Sequence, residues 1–207
     1  MVAAYLAERL PLRLVLPVAT LLSAAARVGS GCVPPWTAAW DAVAITGFFA
    51  QFRLWDDLAD RERDRRRHPE RALVRASSLR PFRVCAAALG ILNAAIIGLA
   101  YRGVVPLALS AAIAMLTSLC YRAGSGRSIV RDHLLLLKYP VFTAIVATAR
   151  PVGRPIALAC AALAVYLGAC LYEALHDRTS PLRRTPLVAC EAALLVVCSW
   201  VVLEVRS

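Results

Sequence analysis

The chain alternates between long apolar runs and short polar segments. Seven runs stand out, at residues 10–27, 37–55, 82–100, 104–121, 133–149, 155–175 and 186–203. Each has about 17–21 residues, the length that carries a helix across roughly 30 Å of hydrocarbon. The breaks hold turn chemistry, including the uncharged Gly- and Pro-containing linker at 29–35 and the Tyr101-Arg102-Gly103 turn. This pattern predicts an all-α fold, a polytopic transmembrane helical bundle of about seven spans forming one domain over residues 1–207. The first run also resembles a cleavable signal, with Glu8, Arg9 and Arg13 at its start and small residues at 23–26. The many later spans make a separate signal unnecessary, so the first run is read as a span.

Composition agrees with the membrane reading. The 207 residues are 60% hydrophobic, with mean hydropathy +0.64, against about 45–50% apolar in soluble domains. The net charge of +11 would suit nucleic acid, but the basic residues sit between apolar runs and form no amphipathic face. Membrane lipid is the expected partner, and nucleic acid is not. Arg61, Arg63, Arg65, Arg66, Arg67, Arg71, Arg75, Arg80, Arg122, Arg127, Arg131, Arg178, Arg183 and Arg184 follow runs two, four and six. The other side holds only Arg27, Arg102, Arg150, Arg154 and Arg206. The positive-inside rule then predicts three cytoplasmic loops, with the N-terminus inside and the C-terminus outside. The preference for arginine over the single lysine, Lys138, suggests a GC-rich bacterial genome and hence a bacterial cytoplasmic membrane. The seven cysteines form no C-x-x-C pair and read as small hydrophobes. His68, His133 and His176 show no metal-ligand spacing, and Glu191 reads as lying near the lipid headgroups.

The segment with the densest chemistry is RLWDDLADRERDRRRHPERALVR, residues 53–75. It carries Asp56, Asp57, Asp60 and Asp64 as D-D-x-x-D-x-x-x-D. On a helix the last three fall within one arc roughly 80° wide. Like charges so spaced repel by about 0.2–0.5 kcal/mol per pair, and a bound cation would reverse that cost. The oxygen-rich set suits Mg²⁺, which takes one or two carboxylates together with substrate phosphates. Glu62 points away. The cytoplasmic loops would bring to this array Tyr121, Arg127, Arg131, the intramembrane Lys138, and the acidic pair Glu173 and Asp177. Gln51 precedes it on the same run. Two acidic clusters with cations between them fit a metal-bridged diphosphate, and the apolar bundle fits an isoprenoid tail.

The motif resembles the first aspartate-rich motif of the UbiA superfamily of intramembrane prenyltransferases, N/D-D-x-x-D-x-x-x-D followed by a basic stretch and an Arg. Asp56, Asp57, Asp60, Asp64 and Arg71 match it. Glu173-x-x-x-Asp177 is loosely similar to the family's second motif, and Tyr121 and Arg127 stand where the family has Tyr followed by a basic residue. Order and spacing agree over about residues 10–185. The resemblance implies a Mg²⁺-dependent enzyme that ionises a prenyl diphosphate and passes the prenyl group to an aromatic or lipophilic acceptor within the membrane. It implies that Asp57, Asp60 and Asp64 ligand Mg²⁺, with Asp56 in the place often filled by Asn, and that Glu173 and Asp177 serve a second metal. Asp57 and Asp60 would be catalytic. Arg71, Arg127 and Lys138 would neutralise the departing diphosphate, with Tyr121, Arg131 and Gln51 contacting substrate. The chain departs from the family in having seven runs where nine helices are usual, and in Glu at position 173. Completion by homo-oligomerisation and loss of catalysis both remain compatible with those departures. A terpene cyclase of the same superfamily and a non-catalytic membrane partner are the alternative readings. A CDP-alcohol phosphotransferase would need a Gly and an Ala-Arg pair that DDLADRERD lacks.

Overall fold

The computed structural model describes residues 2–30, 34, 36–101, 103–123, 128–148, 150–177, 179–184 and 186–204. The architecture is all-helical, with no strand among the described residues. Helix α1 (Val2–Arg9) meets α2 (Leu12–Arg27) at a 63° bend. Pro11 accounts for that bend, since it has no N–H for the helical ladder and biases Leu10 away from helical angles.

Helix α3 (Trp36–Arg67) is 32 residues long, about 48 Å at 1.5 Å per residue. The apolar pattern alone stops near Trp55. The helix goes on because residues 48–67 contain neither Gly nor Pro, and because Arg53–Asp57, Asp60–Arg63 and Glu62–Arg65 pair along its surface. It ends before His68-Pro69, where proline disfavours helix in the residue ahead of it.

Helix α4 (Arg80–Ile96) continues into a π-helical turn (Ile97–Tyr101), and α5 (Val104–Arg122) follows. Run five is not one helix but two, α6 (Ile129–Leu136) and α7 (Lys138–Ala147). Pro140 cannot donate to the Leu136 carbonyl, so the ladder breaks there and Lys138 enters the first turn of α7. Helix α8 (Pro155–His176), a 3₁₀ turn (Pro181–Arg184) and α9 (Leu187–Glu204) complete the chain.

Among the described residues, four helical segments are long and apolar enough to cross a membrane: α4 with its π turn, α5, α8 and α9. The bent α1–α2 pair makes a fifth if it counts as one span. Helices α3, α6 and α7 fall outside this set. Asp41, Gln51 and Arg53 dilute the apolar half of α3, and α6 and α7 have only 8 and 10 residues. For α3 and α7 the environment explains how this is tolerated. Ile45, Phe48 and Phe52 of α3 and Phe142, Ile145 and Val146 of α7 are buried together with Leu22 and Ala26 of α2. Helices at the centre of a bundle are shielded by their neighbours. The outward-facing α4, α5, α8 and α9 instead expose large apolar side chains such as Ile91, Val105, Ile156 and Val196, as a lipid-facing surface would.

Aromatic packing ties the two central helices together. Phe48 and Phe142 stack with centroids 5.1 Å apart, and Phe52 lies 5.1 Å from Phe142. Two glycines permit close helix approach. A Cβ on Gly29 would lie 2.8 Å from the Leu158 Cβ, where α2 meets α8, and a Cβ on Gly47 would collide with the Asn93 side chain of α4.

Candidate functional site

A cavity of about 420 Å³ opens at the end of the bundle where α3 emerges from the core. This is within the roughly 300–1,000 Å³ usual for small-molecule pockets. Its wall draws Asp56, Asp57, Asp60 and Asp64 from α3, Tyr121 from α5, Arg131 and Asp132 from α6, Lys138 and Tyr139 from α7, and Glu173 and His176 from α8, followed by Asp177. Arg71 reaches it from the segment after α3. Residues far apart in sequence therefore share one chamber. Arg127 lies outside the described residues. Gln51 does not line the cavity; its Oε1 accepts from Asn93 Nδ2 at 2.6 Å, a buried polar pair joining α3 to α4.

The four aspartates have different environments. Asp56 accepts hydrogen bonds from Tyr121 Oη and Lys138 Nζ, joining α3 to α5 and α7. The helix break at Leu137 is what makes this possible, because it puts Lys138, 5% exposed, against the array. Asp57 is the most enclosed. Arg9 grips it with Nε and Nη2 at 2.8 and 2.7 Å, and Tyr5 Oη donates at 2.9 Å. The bend at Pro11 folds α1 back to deliver both groups. Asp60 pairs with Arg63 at 3.0 Å and keeps 35% of its side chain exposed. Asp64 accepts from Arg71 Nη1 at 2.5 Å. Arg61 fixes the intervening segment by donating to the Leu73, Val74 and Ala76 carbonyls.

These contacts alter the repulsion argument made from the sequence. Each aspartate has a cationic side chain against it, so the array is neutralised by the protein itself. Even so, burial pushes the Asp57 carboxyl above the usual carboxylate range, against the pull of Arg53 and the Tyr5 hydrogen bond. Asp60 is also raised, first by burial and then by Asp56 and Asp64, with Arg63 opposing. Burial thus disfavours the ionised form of Asp57 and Asp60, and a further cation beside them would favour it.

The second acidic pair belongs to the same wall. Asp177 Oδ1 accepts from the Thr179 backbone N at 2.8 Å and from its hydroxyl at 2.7 Å. Arg67 Nη1 donates to the same Thr179 hydroxyl at 3.0 Å, linking the end of α3 to the end of α8. Across the cavity wall, seven carboxylates (Asp56, Asp57, Asp60, Asp64, Asp132, Glu173 and Asp177) face seven cations (Arg9, Arg53, Arg63, Arg67, Arg71, Arg131 and Lys138). With the histidines neutral the wall is formally balanced, so a polyanion would enter most favourably with its own metal ions.

Arg9, Arg53, Arg63, Asp132 and Tyr139 line the cavity without having been singled out in the sequence. Asp132, buried in the first turn of α6, had a usable signal as an acid beside Arg131 at a span end. Arg9 had none, because its position depends on the fold-back of α1. A narrower cleft of about 10 Å³ continues from the cavity and shares Arg53, Asp56, Lys138 and Tyr139 with it; Phe49, Phe52 and Phe142 complete its lining. It leads from the charged groups toward the aromatic core.

Compared with family models, curated proteins and solved structures, the chain matches none.

Proposed function

We propose that the chain is an integral membrane enzyme that transfers a prenyl group from an isoprenoid diphosphate to an aromatic or lipophilic acceptor. The observation that carries this reading is the meeting of the Asp56–Asp64 array with Glu173 and Asp177 in one cavity that also holds Tyr121, Arg131 and Lys138. A UbiA-type arrangement of seven spans fits it, with the core faces of α3 and α7 buried among the other helices. The charged end would face the cytoplasm of a bacterium and the N-terminus would be inside.

The donor set suits Mg²⁺: carboxylate oxygens in number, on two walls, with room for water and phosphate. Asp60 and Asp64 are the best placed ligands on α3, with Asp56 beside them and Glu173 and Asp177 opposite. Asp57, gripped by Arg9 and Tyr5, would chiefly hold α1 over the site. Bound Mg²⁺ would supply charge stabilisation to the leaving diphosphate. The chain's own cations would do the rest. Arg71 and Lys138 would exchange the carboxylates of Asp64 and Asp56 for phosphate oxygens as the substrate enters, with Arg131 beside them on the wall. The allylic C–O bond breaks with both electrons going to diphosphate, an electron pair of the acceptor forms the new C–C or C–O bond, and the acceptor loses a proton. The prenyl chain would enter by the Phe49–Phe52–Phe142 cleft, which must widen to take it.

The test is Mg²⁺-dependent diphosphate release from a panel of prenyl diphosphates by the purified protein in nanodiscs, with mass spectrometry of the organic extract. Release abolished by Asp60→Asn supports the reading, and a cyclic hydrocarbon in place of a prenylated acceptor would make the enzyme a cyclase. No release from any chain length, with candidate acceptors and membrane extract present, sinks it in favour of a non-catalytic relative. The pairing of all four aspartates with the protein's own cations is the observation on that side.

A further inference from the structure

Outside the charged cavity, three side chains that sequence spacing leaves unrelated come together. They are His133 of α6, Cys170 of α8 and Glu191 of α9, and one ligand atom from each lies within 4.8 Å of the other two. His133 Nδ1 is 3.6 Å from Cys170 Sγ and 2.8 Å from Tyr166 Oη, while Nε2 is 3.6 Å from Glu191 Oε1. Cys170 is fully buried and Glu191 is 8% exposed. Glu191 Oε2 is buried with no hydrogen-bond partner. A buried carboxylate oxygen in that state is costly, and a cation beside it would satisfy it.

We propose that His133, Cys170 and Glu191 bind one divalent transition-metal ion, with Zn²⁺ the best chemical fit. A thiolate, an imidazole and a carboxylate are the borderline-soft donors this ion takes, and three protein ligands leave a fourth position open. Mg²⁺ is excluded by the thiolate, so the site differs in kind from the aspartate cavity. Zinc bonds of about 2.0–2.3 Å put tetrahedral ligand atoms about 3.2–3.7 Å apart. The ion takes one ring nitrogen of His133, so one of the two 3.6 Å contacts already meets that spacing, and the other ligand atoms, within 4.8 Å of one another, close to it by side-chain shifts of about 1 Å. With Nε2 on the ion, Nδ1 keeps Tyr166 Oη as its partner at 2.8 Å. Helix α9 packs mainly on α8, and the ion would also tie it to α6.

The probe is Co²⁺, titrated into the purified protein in nanodiscs and followed by absorption. A cysteine thiolate on Co²⁺ gives a near-ultraviolet charge-transfer band that carboxylates cannot give, so Co²⁺ taken up by the aspartate cavity is silent. Wild type should develop the band, saturate at one ion per chain and lose the band to added Zn²⁺. Cys170→Ser should abolish it and Cys85→Ser should keep it. Glu191→Gln retains the thiol and should weaken Co²⁺ at least about tenfold, the smallest loss that even an outer-sphere change gives. Thermal unfolding of each metal-free variant shows whether it is folded. No band in wild type, or a band that survives Cys170→Ser, overturns the site and leaves a hydrogen-bonded polar cluster. Unchanged affinity in a folded Glu191→Gln removes the carboxylate and overturns the proposal as stated.

Discussion

Helix α3 carries aspartates at both ends, and the two ends differ. At one end Asp41, 2% exposed, is closed between Arg150 Nη2 at 2.5 Å and Arg27 Nε at 3.1 Å, with Thr37 accepting from the same Arg27. About 28 Å further along the helix, Asp56–Asp64 also have basic partners, but around an open cavity. One arrangement is a staple among α2, α3 and the segment after α7. The other has the same ingredients plus space, opposing carboxylates and a partly exposed Asp60. Ion pairing alone therefore does not mark a functional site. Accessible volume with carboxylates on opposing walls does.

The largest expected effect tests the staple. Arg150→Ala leaves Asp41 half-compensated and buried, and should lower stability by about 3–5 kcal/mol, toward the lower figure because Arg27 remains. Chemical denaturation of the reconstituted protein measures this, and diphosphate release per folded molecule should not change. A fall in specific activity at full folding would join the two ends functionally and break the comparison.

Asp60→Asn should do the reverse. If the cavity works by stabilising a leaving anion, release should fall by roughly 10²–10³, about 2.7–4 kcal/mol in the barrier. Stability should hold or rise slightly, since the ionised carboxylate is disfavoured by burial and by Asp56 and Asp64. Loss of folding in place of activity would make Asp60 another staple.

The pH dependence follows from the raised Asp57 and Asp60 carboxyls. Both bind a proton more tightly folded than unfolded. Their contribution to stability is therefore present at low pH and is lost as pH rises through the folded-state values. Metal binding runs the opposite way, because the ion needs the ionised form. Mg²⁺ affinity, followed by calorimetry, should fall on acidification at a pH above the ordinary aspartate value of about 3.9. Affinity that holds down to that value would show that Asp60 is not a ligand.

The smallest effect belongs to Glu62, whose side chain is 68% exposed and pairs with the exposed Arg65. Glu62→Gln should stay within about 0.5 kcal/mol of wild type and leave release unchanged. A larger loss of activity would extend the site to the outer face of α3.

Much of the site was legible in the chain. The D-D-x-x-D-x-x-x-D spacing fixed which carboxylates share a helix face, because 3.6 residues per turn is a local property. The apolar runs fixed an all-helical bundle for the same reason: a long apolar segment must satisfy its backbone internally. Local chemistry also set the breaks, with Pro11 bending the start of the chain and Pro140 dividing α6 from α7.

Only the tertiary structure decided what each charged group faces. Gln51 precedes the array in sequence yet turns to Asn93, because its face of α3 packs on α4. Arg9 and Tyr5, some fifty residues before Asp57, close on it because α1 folds back. His133, Cys170 and Glu191 become neighbours only when α6, α8 and α9 pack at particular rotations. The sequence therefore determines the helices and their faces. The charges, which interact through space at a few ångströms and not along the chain, acquire their partners only from the packing.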